Sequence, residues 1–90
     1  MEREEGPEAF IYHGQDKSEV PRNITHVRCD SLVTEIPKKF FRSFRYLVTV
    51  ELNKGLKVIG KEAFAYCTSL TTINFPSTLE VIGERAFFLL

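Results

Sequence analysis

The side chains of this sequence best suited to bind a metal are its histidines and cysteines, and one pair of them has a suggestive spacing. His26 lies three residues before Cys29, and the only other histidine is His13. Zinc needs about four such ligands close in space. Residues three apart on a strand face opposite sides, so we expect Cys29 to point inward and His26 outward. We therefore predict no metal site.

Candidates for acid–base or nucleophilic catalysis are scattered along the chain. Ser31, Ser43, Ser69 and Ser77 fall in predicted turns, where serine is favoured as a turn former. The five glycines form no phosphate-binding loop, and the glutamates recur as single surface positions rather than as a close pair. We therefore predict that the chain is not an enzyme and binds no cofactor.

The charge balance argues against a polyanionic partner. Lysine plus arginine and aspartate plus glutamate number 12 each, so the formal net charge is zero. Affinity for nucleic acid depends on clustered positive charge. The most basic run contains Lys38, Lys39, Arg42 and Arg45, and its spacing is typical of a solvated face. We predict no nucleic-acid binding.

The two termini bear on localisation. The start of the chain lacks the basic segment and apolar run of a secretory signal. The longest apolar stretch, residues 86–90, is far shorter than the ~20 residues that a membrane helix needs. We expect a soluble chain without membrane insertion, and we favour the cytoplasm.

The elements that would position these side chains belong to a 23-residue repeat. Three rows align without gaps: 24–46, 47–69 and 70–90, the last of which is incomplete. The columns that are apolar in every row are Ile24, Leu47, Leu70; Val27, Val50, Ile73; Cys29, Leu52, Phe75; Val33, Leu56, Leu79; Ile36, Ile59, Ile82; Phe41, Phe64, Phe87; and Phe44, Cys67, Leu90. Each row reads as a strand, a turn, a short strand and a helical turn. Stacking would join the rows through a continuous core with a phenylalanine ladder.

Residues 58–87, VIGKEAFAYCTSLTTINFPSTLEVIGERAF, carry a resemblance to a known family. They resemble the BspA-type leucine-rich repeat in their glycine, alanine–phenylalanine and cysteine positions. Row one departs from that pattern at Pro37, Phe40 and Phe44. The resemblance implies an α/β leucine-rich-repeat solenoid, mostly strand and loop, that serves in protein–protein or surface recognition. It implies no particular ligand.

The two ends of the repeat array differ. Residues 9–23 lie outside the repeat, and we predict that they form an N-terminal cap strand and turn, with Phe10–His13 as an edge strand over row one. We expect residues 1–8 to form a disordered tail. No polar cap follows row three, so its apolar face marks an interaction site or the start of a longer array, and self-association through it is possible.

The predicted binding surface is the outward face of the long strands, because repeat arrays of this kind use an extended sheet for recognition. The predicted binding face comprises Thr25, His26, Arg28, Thr49, Glu51, Thr72 and Asn74. We predict a non-catalytic segment that recognises a protein, or a glycan, through this face. The alternative is a structural spacer or truncated fragment of a larger multidomain repeat protein whose activity lies elsewhere.

Overall fold

The protein is a chain of short strands joined by turns. The computed structural model describes residues 9–89, so the predicted tail, residues 1–8, lies outside the described residues. The strands are β1 (Phe10–Tyr12), β2 (His26–Cys29), β3 (Glu35–Ile36), β4 (Thr49–Glu51), β5 (Val58–Ile59), β6 (Thr72–Ile73) and β7 (Val81–Ile82). One 3₁₀ helix, Lys17–Glu19, follows β1, and residues 9–89 contain no α-helix.

The strands form two parallel sheets. Sheet A has the order β1-β2-β4-β6, and sheet B has the order β3-β5-β7. In sheet A, His26 pairs with Thr49 and Thr49 pairs with Thr72. Apart from β1, each strand pairs with the equivalent strand of the neighbouring repeat. Each of the three rows, called repeats 1, 2 and 3 from here on, therefore adds one strand to each sheet. The pairing is parallel because each repeat brings the chain back to the same point in the same direction.

The prediction of a helical turn after the short strand was wrong. The backbone φ angle is 60° at Lys39 and 66° at Ser43, and the same two columns have positive φ in repeats 2 and 3. Phe40 N donates to Pro37 O within the turn, whereas Phe41 N donates to Ala63 O of the next repeat at 2.8 Å. A helix uses every N–H within its own segment. Here alternate N–H groups bond the next repeat, so consecutive β-turns replace the helix.

The core is built around a stack of phenylalanine rings. Phe41 and Phe64 lie 5.3 Å apart between ring centroids with planes 5° apart, and Phe64 and Phe87 lie 5.5 Å apart at 3°. Phe41 and Phe64 are fully buried. At the other end, Tyr12 of β1 packs on Phe40 at 4.8 Å. Repeats 2 and 3 have Ala63 and Ala86 at the position of Phe40. Phe40 therefore fills the space beneath β1.

Polar side chains join the repeats where the strands end. Asn53 Nδ2 donates to Val33 O at 2.8 Å. Thr78 Oγ1 accepts from Gly55 N at 2.9 Å and donates to Leu56 O at 2.9 Å. These bonds satisfy backbone groups that the short ladders leave unpaired, which a buried backbone requires.

The third repeat is the most exposed part of the core. Phe75, Val81 and Ile82 have about half their surface exposed, at 51%, 51% and 50%. The equivalents of Phe75 and Ile82 in repeat 2, Leu52 and Ile59, are buried because repeat 3 covers them. Repeat 3 thus presents an apolar face of the kind that repeat 2 buries.

Candidate recognition surface

The outward side chains of sheet A form rows across neighbouring strands. Along β2, Val27 and Cys29 are buried, while His26 and Arg28 point away from the core. This alternation follows from the two-residue period of a strand. The register aligns His26 with Thr49 and Thr72, and it aligns Arg28 with Glu51. We call these five residues the sheet A face.

Opposite charges lie side by side within the sheet A face. Arg28 Nε lies 3.2 Å from Glu51 Oε1, and both side chains are more than half exposed. An exposed ion pair of this kind contributes only about 0–1 kcal/mol to stability. Both groups can therefore change partners when a charged surface approaches, at little cost to the fold.

Thr25 lies at the rim of this face rather than in a strand. Its hydroxyl is 2.9 Å from His26 Nδ1. Its carbonyl accepts hydrogen bonds from Val48 N at 2.7 Å and Thr49 N at 3.2 Å. Thr25 therefore orients the imidazole of His26 while its backbone joins repeats 1 and 2.

Asn74 lies just beyond β6, and the structure gives its side chain a structural partner. Asn74 Oδ1 accepts from Leu52 N at 2.9 Å, and Asn74 Nδ2 donates to Leu52 O at 3.1 Å. The amide thus takes the place of a backbone segment at the end of the ladder. Asn74 remains exposed, so its outer edge contributes to the surface while its polar atoms hold repeat 2 to repeat 3.

Four of the residues predicted for the binding face meet in one depression. Thr49, Glu51, Thr72 and Asn74 line an open hollow of about 400 Å³ between β4 and β6. Its other lining residues, Val50, Leu52 and Ile73, belong to inward columns, so reasoning from alternation missed them. Of these, Ile73 is partly exposed because β6 is the edge strand of sheet A, whereas Val50 and Leu52 are buried and only border the hollow.

A comparison with known families identifies the family to which this repeat belongs. A family model for the BspA type leucine rich repeat region (6 copies) matches residues 18–89. The chain belongs to the BspA-type leucine-rich repeat family. The resemblance drawn from residues 58–87 is confirmed. Leucine-rich repeats are generally protein-interaction modules. No curated protein and no solved structure matches the chain.

The cysteines of these BspA-type repeats serve the core. Cys29 and Cys67 are both free thiols and both buried. Cys67 Sγ donates to Phe41 O at 3.1 Å. Burial raises the pKa of Cys29 to about 12 and that of Cys67 to about 11. Since the thiolate is the reactive form, neither side chain is a nucleophile at neutral pH.

Two further features concern metals and membranes. In the part of the chain that the structure describes, no three residues among histidine, cysteine, aspartate and glutamate come close enough to hold a metal ion. Over the same residues of this BspA-type chain, no helix has the length and apolar composition needed to cross a membrane.

Proposed function

We propose that this chain is a non-catalytic solenoid segment that binds a protein partner through the sheet A face. The observation that carries the proposal is the alignment of outward polar and charged side chains across three strands, in positions that the core does not use. The paired charges of Arg28 and Glu51 suit complementary ionic groups on a protein surface. A neutral glycan offers no such groups, so we favour a protein.

The size of the face sets the expected strength of binding. Strands lie about 4.8 Å apart and rise about 3.3 Å per residue, so the outward part of β2, β4 and β6 covers roughly 15 Å by 13 Å. A standard protein interface buries about 800 Å² on each partner. The face also lacks the tryptophan, tyrosine or clustered arginine side chains that dominate strong interfaces. We therefore expect weak binding by this segment and tighter binding where neighbouring repeats extend the sheet.

A charge exchange tests this surface without removing its ion pair. We would capture partners from a cell extract on the chain carrying Arg28→Glu together with Glu51→Arg, and compare them with those of the unchanged chain. The matched control is Lys57→Glu with Glu80→Lys, which exchanges the ion pair between Lys57 Nζ and Glu80 Oε2, 3.8 Å apart, beside sheet B.

We expect the first exchange to remove a partner that the control retains. If both variants capture the same proteins as the unchanged chain, the sheet A face is not the recognition surface. That outcome would instead favour the alternative, a structural spacer within a larger repeat protein.

A second proposal concerns repeat 3, which we infer to support self-association. Its exposed apolar residues Phe75, Val81 and Ile82 form a face of the kind that commonly marks an interaction site. Sedimentation velocity at about 20 µM and about 500 µM should show a mass that rises with concentration. Val81→Thr with Ile82→Thr should abolish that rise, whereas Leu32→Gln, which changes a leucine that is 85% exposed elsewhere, should not. A monomer at both concentrations contradicts the proposal.

A further inference from the structure

A pocket lies away from the sheet A face, between the N-terminal segment and repeat 1. It has a volume of about 350 Å³ and is lined by Lys17, Ser18, Val20, Arg22 and Phe44. Val20 provides an apolar floor, and Phe44 lies fully buried beneath the Arg22 guanidinium. Lys17 and Arg22 bring two positive charges to the same pocket.

The two cations are held in place by contacts that leave their charge uncompensated. Lys17 Nζ donates to Lys39 O at 3.0 Å. The Arg22 guanidinium carbon lies 5.2 Å from the centre of the Phe44 ring, which leaves the guanidinium edge available for hydrogen bonds. Within residues 9–89, neither cation lies within ion-pair distance of a carboxylate.

The charges around the pocket have both signs: Arg42 lies near Lys17 but pairs with Glu62 at 3.2 Å, and Asp16 and Glu19 lie in the same segment as Lys17. Burial lowers the pKa of Lys17, and the neighbouring charges of Arg22 and Arg42 lower it further. The Oδ2 atom of Asp16 accepts hydrogen bonds from Ser18 N at 3.0 Å and Ser18 Oγ at 2.5 Å, so this oxygen is bonded within its own turn. Glu19 is exposed on the same 3₁₀ helix.

The available donors favour a carboxylate over a phosphate. Phosphate sites commonly use a cradle of free backbone N–H groups. In this segment those of Ser18, Glu19 and Val20 donate to Asp16 Oδ2, Asp16 O and Lys17 O respectively. The charged donors that line the pocket are the side chains of Lys17 and Arg22, and the planar guanidinium of Arg22 matches a carboxylate in shape. The apolar floor suits the methylene stem of a glutamate.

The geometry points to a binding pocket for a glutamate side chain of an acidic peptide segment, with Arg22 and Lys17 contacting the carboxylate and Val20 contacting its stem. This inference rests on the proposed role in protein recognition, but it involves a different surface. It would add a charged contact at a surface separate from the sheet A face.

The test is an NMR titration of the full ¹⁵N-labelled chain with a defined probe. The probe is acetyl-Leu-Glu-Glu-Leu-amide, and its control is acetyl-Leu-Gln-Gln-Leu-amide, which has the same shape without charge. Inorganic phosphate and a short single-stranded RNA form two further arms. A variant with Glu2, Glu4, Glu5 and Glu8 all changed to glutamine removes the carboxylates of residues 1–8 as intramolecular competitors.

We expect the acidic peptide to shift the amide signals of Ser18, Val20, Arg22 and Phe44 and to bind at least about tenfold more tightly than the glutamine peptide. Lys17→Met with Arg22→Met should weaken binding by a similar factor, whereas Lys54→Met, at an exposed lysine of repeat 2, should not. Arg22→Lys should give an intermediate affinity because it keeps the charge and loses the planar fork. The dispersion of each spectrum shows whether the variant is folded.

Three outcomes would overturn the inference. They are equal binding of the two peptides, shifts located on the sheet A face instead of the pocket, and tighter binding of phosphate or RNA than of the acidic peptide. The readout needs no natural partner. A failed titration therefore leaves the Arg28 and Glu51 exchange unaffected, and failure of that exchange leaves the titration unaffected.

Discussion

Replacing Gly60 with alanine should destabilise the protein by about 2 kcal/mol, because successive repeats touch at this glycine. A Cβ atom placed there would lie 2.7 Å from Lys38 N, 2.8 Å from Ile36 O and 2.9 Å from Pro37 C. All three are backbone atoms of repeat 1. Gly60 N also donates to Ile36 O at 2.8 Å, so the repeats cannot separate to accept a methyl group without stretching that bond.

The sign of the effect separates this explanation from ordinary glycine behaviour. Positive φ among the described glycines occurs only at Gly14 and Gly55. Alanine at position 60 would therefore stabilise the chain by about 0.4–1 kcal/mol if space were available, because it restricts the unfolded state. Overpacking a tight site costs about 1–3 kcal/mol. The neighbours of the added Cβ are backbone atoms fixed by a hydrogen bond, so we expect an overpacking cost of about 3 kcal/mol. Subtracting the gain of up to about 1 kcal/mol from the restricted unfolded state leaves a net loss of about 2 kcal/mol.

Urea unfolding followed by circular dichroism measures this loss. With an m-value of about 1–3 kcal/mol per molar urea, the midpoint should fall by about 1 M. The control is Gly14→Ala, where φ is 98° but no described atom lies within 4 Å of the added Cβ. That variant should lose only the roughly 1–2 kcal/mol cost of a left-handed backbone. An unchanged or higher midpoint for Gly60→Ala would refute the close approach of the repeats.

Further predictions concern the core, the turns and the thiols. Phe64→Ala should cost about 3–5 kcal/mol in the same urea assay, since the ring is fully buried between two others; a loss below about 1 kcal/mol contradicts the stack. Lys39→Gly should raise the free energy of unfolding by about 0.5–1 kcal/mol, and with it the urea midpoint, because φ is 60° there and glycine accepts that conformation; a lower midpoint argues against the turn. Cys29 and Cys67 should resist iodoacetamide at pH 8 until urea is added. The folded thiols have pKa values of about 12 and 11 against an ordinary value of 9.0, so the unfolded chain loses its thiol protons at lower pH than the folded chain does. The free energy of unfolding should therefore fall as pH rises from about 9 to about 11. A free energy of unfolding that stays constant over this range contradicts the prediction.

The repeat could be predicted from the sequence because each structural column holds the same residue type in every row. Alternation placed Val27 and Cys29 inward and Arg28 outward, as the structure has them. The turn was mispredicted for a physical reason. Positive φ usually appears in a sequence as glycine, but Lys39 and Ser43 have it because hydrogen bonds from Lys39 N and Ser43 N to repeat 2 hold the turn in place.

The candidate sites could also be predicted only in part from the sequence. A polar residue on an outward column looks identical in sequence whether it meets a partner or its own backbone, so nothing in the sequence distinguishes Asn74 from Thr72. Likewise, Lys17 and Arg22 lie outside the repeat, where no periodicity relates them to Phe44. Their meeting depends on the packing of the 3₁₀ helix against repeat 1, which is a tertiary contact.

The way the repeats are joined determines which surface positions are free to serve recognition. Repeats 2 and 3 are held together by backbone ladders and by the side chains of Asn74 and Thr78. Among the residues that the structure describes, Arg28 and Glu51 form an ion pair only with each other, and an exposed pair contributes little to the fold. Substitutions at Arg28 and Glu51, in the proposed recognition surface, should therefore cost little stability. A change at Asn74, which the sequence placed in the predicted binding face, would also unpair the backbone of Leu52, so a loss of binding in such a variant would have to be separated from a loss of structure at the edge of repeat 3.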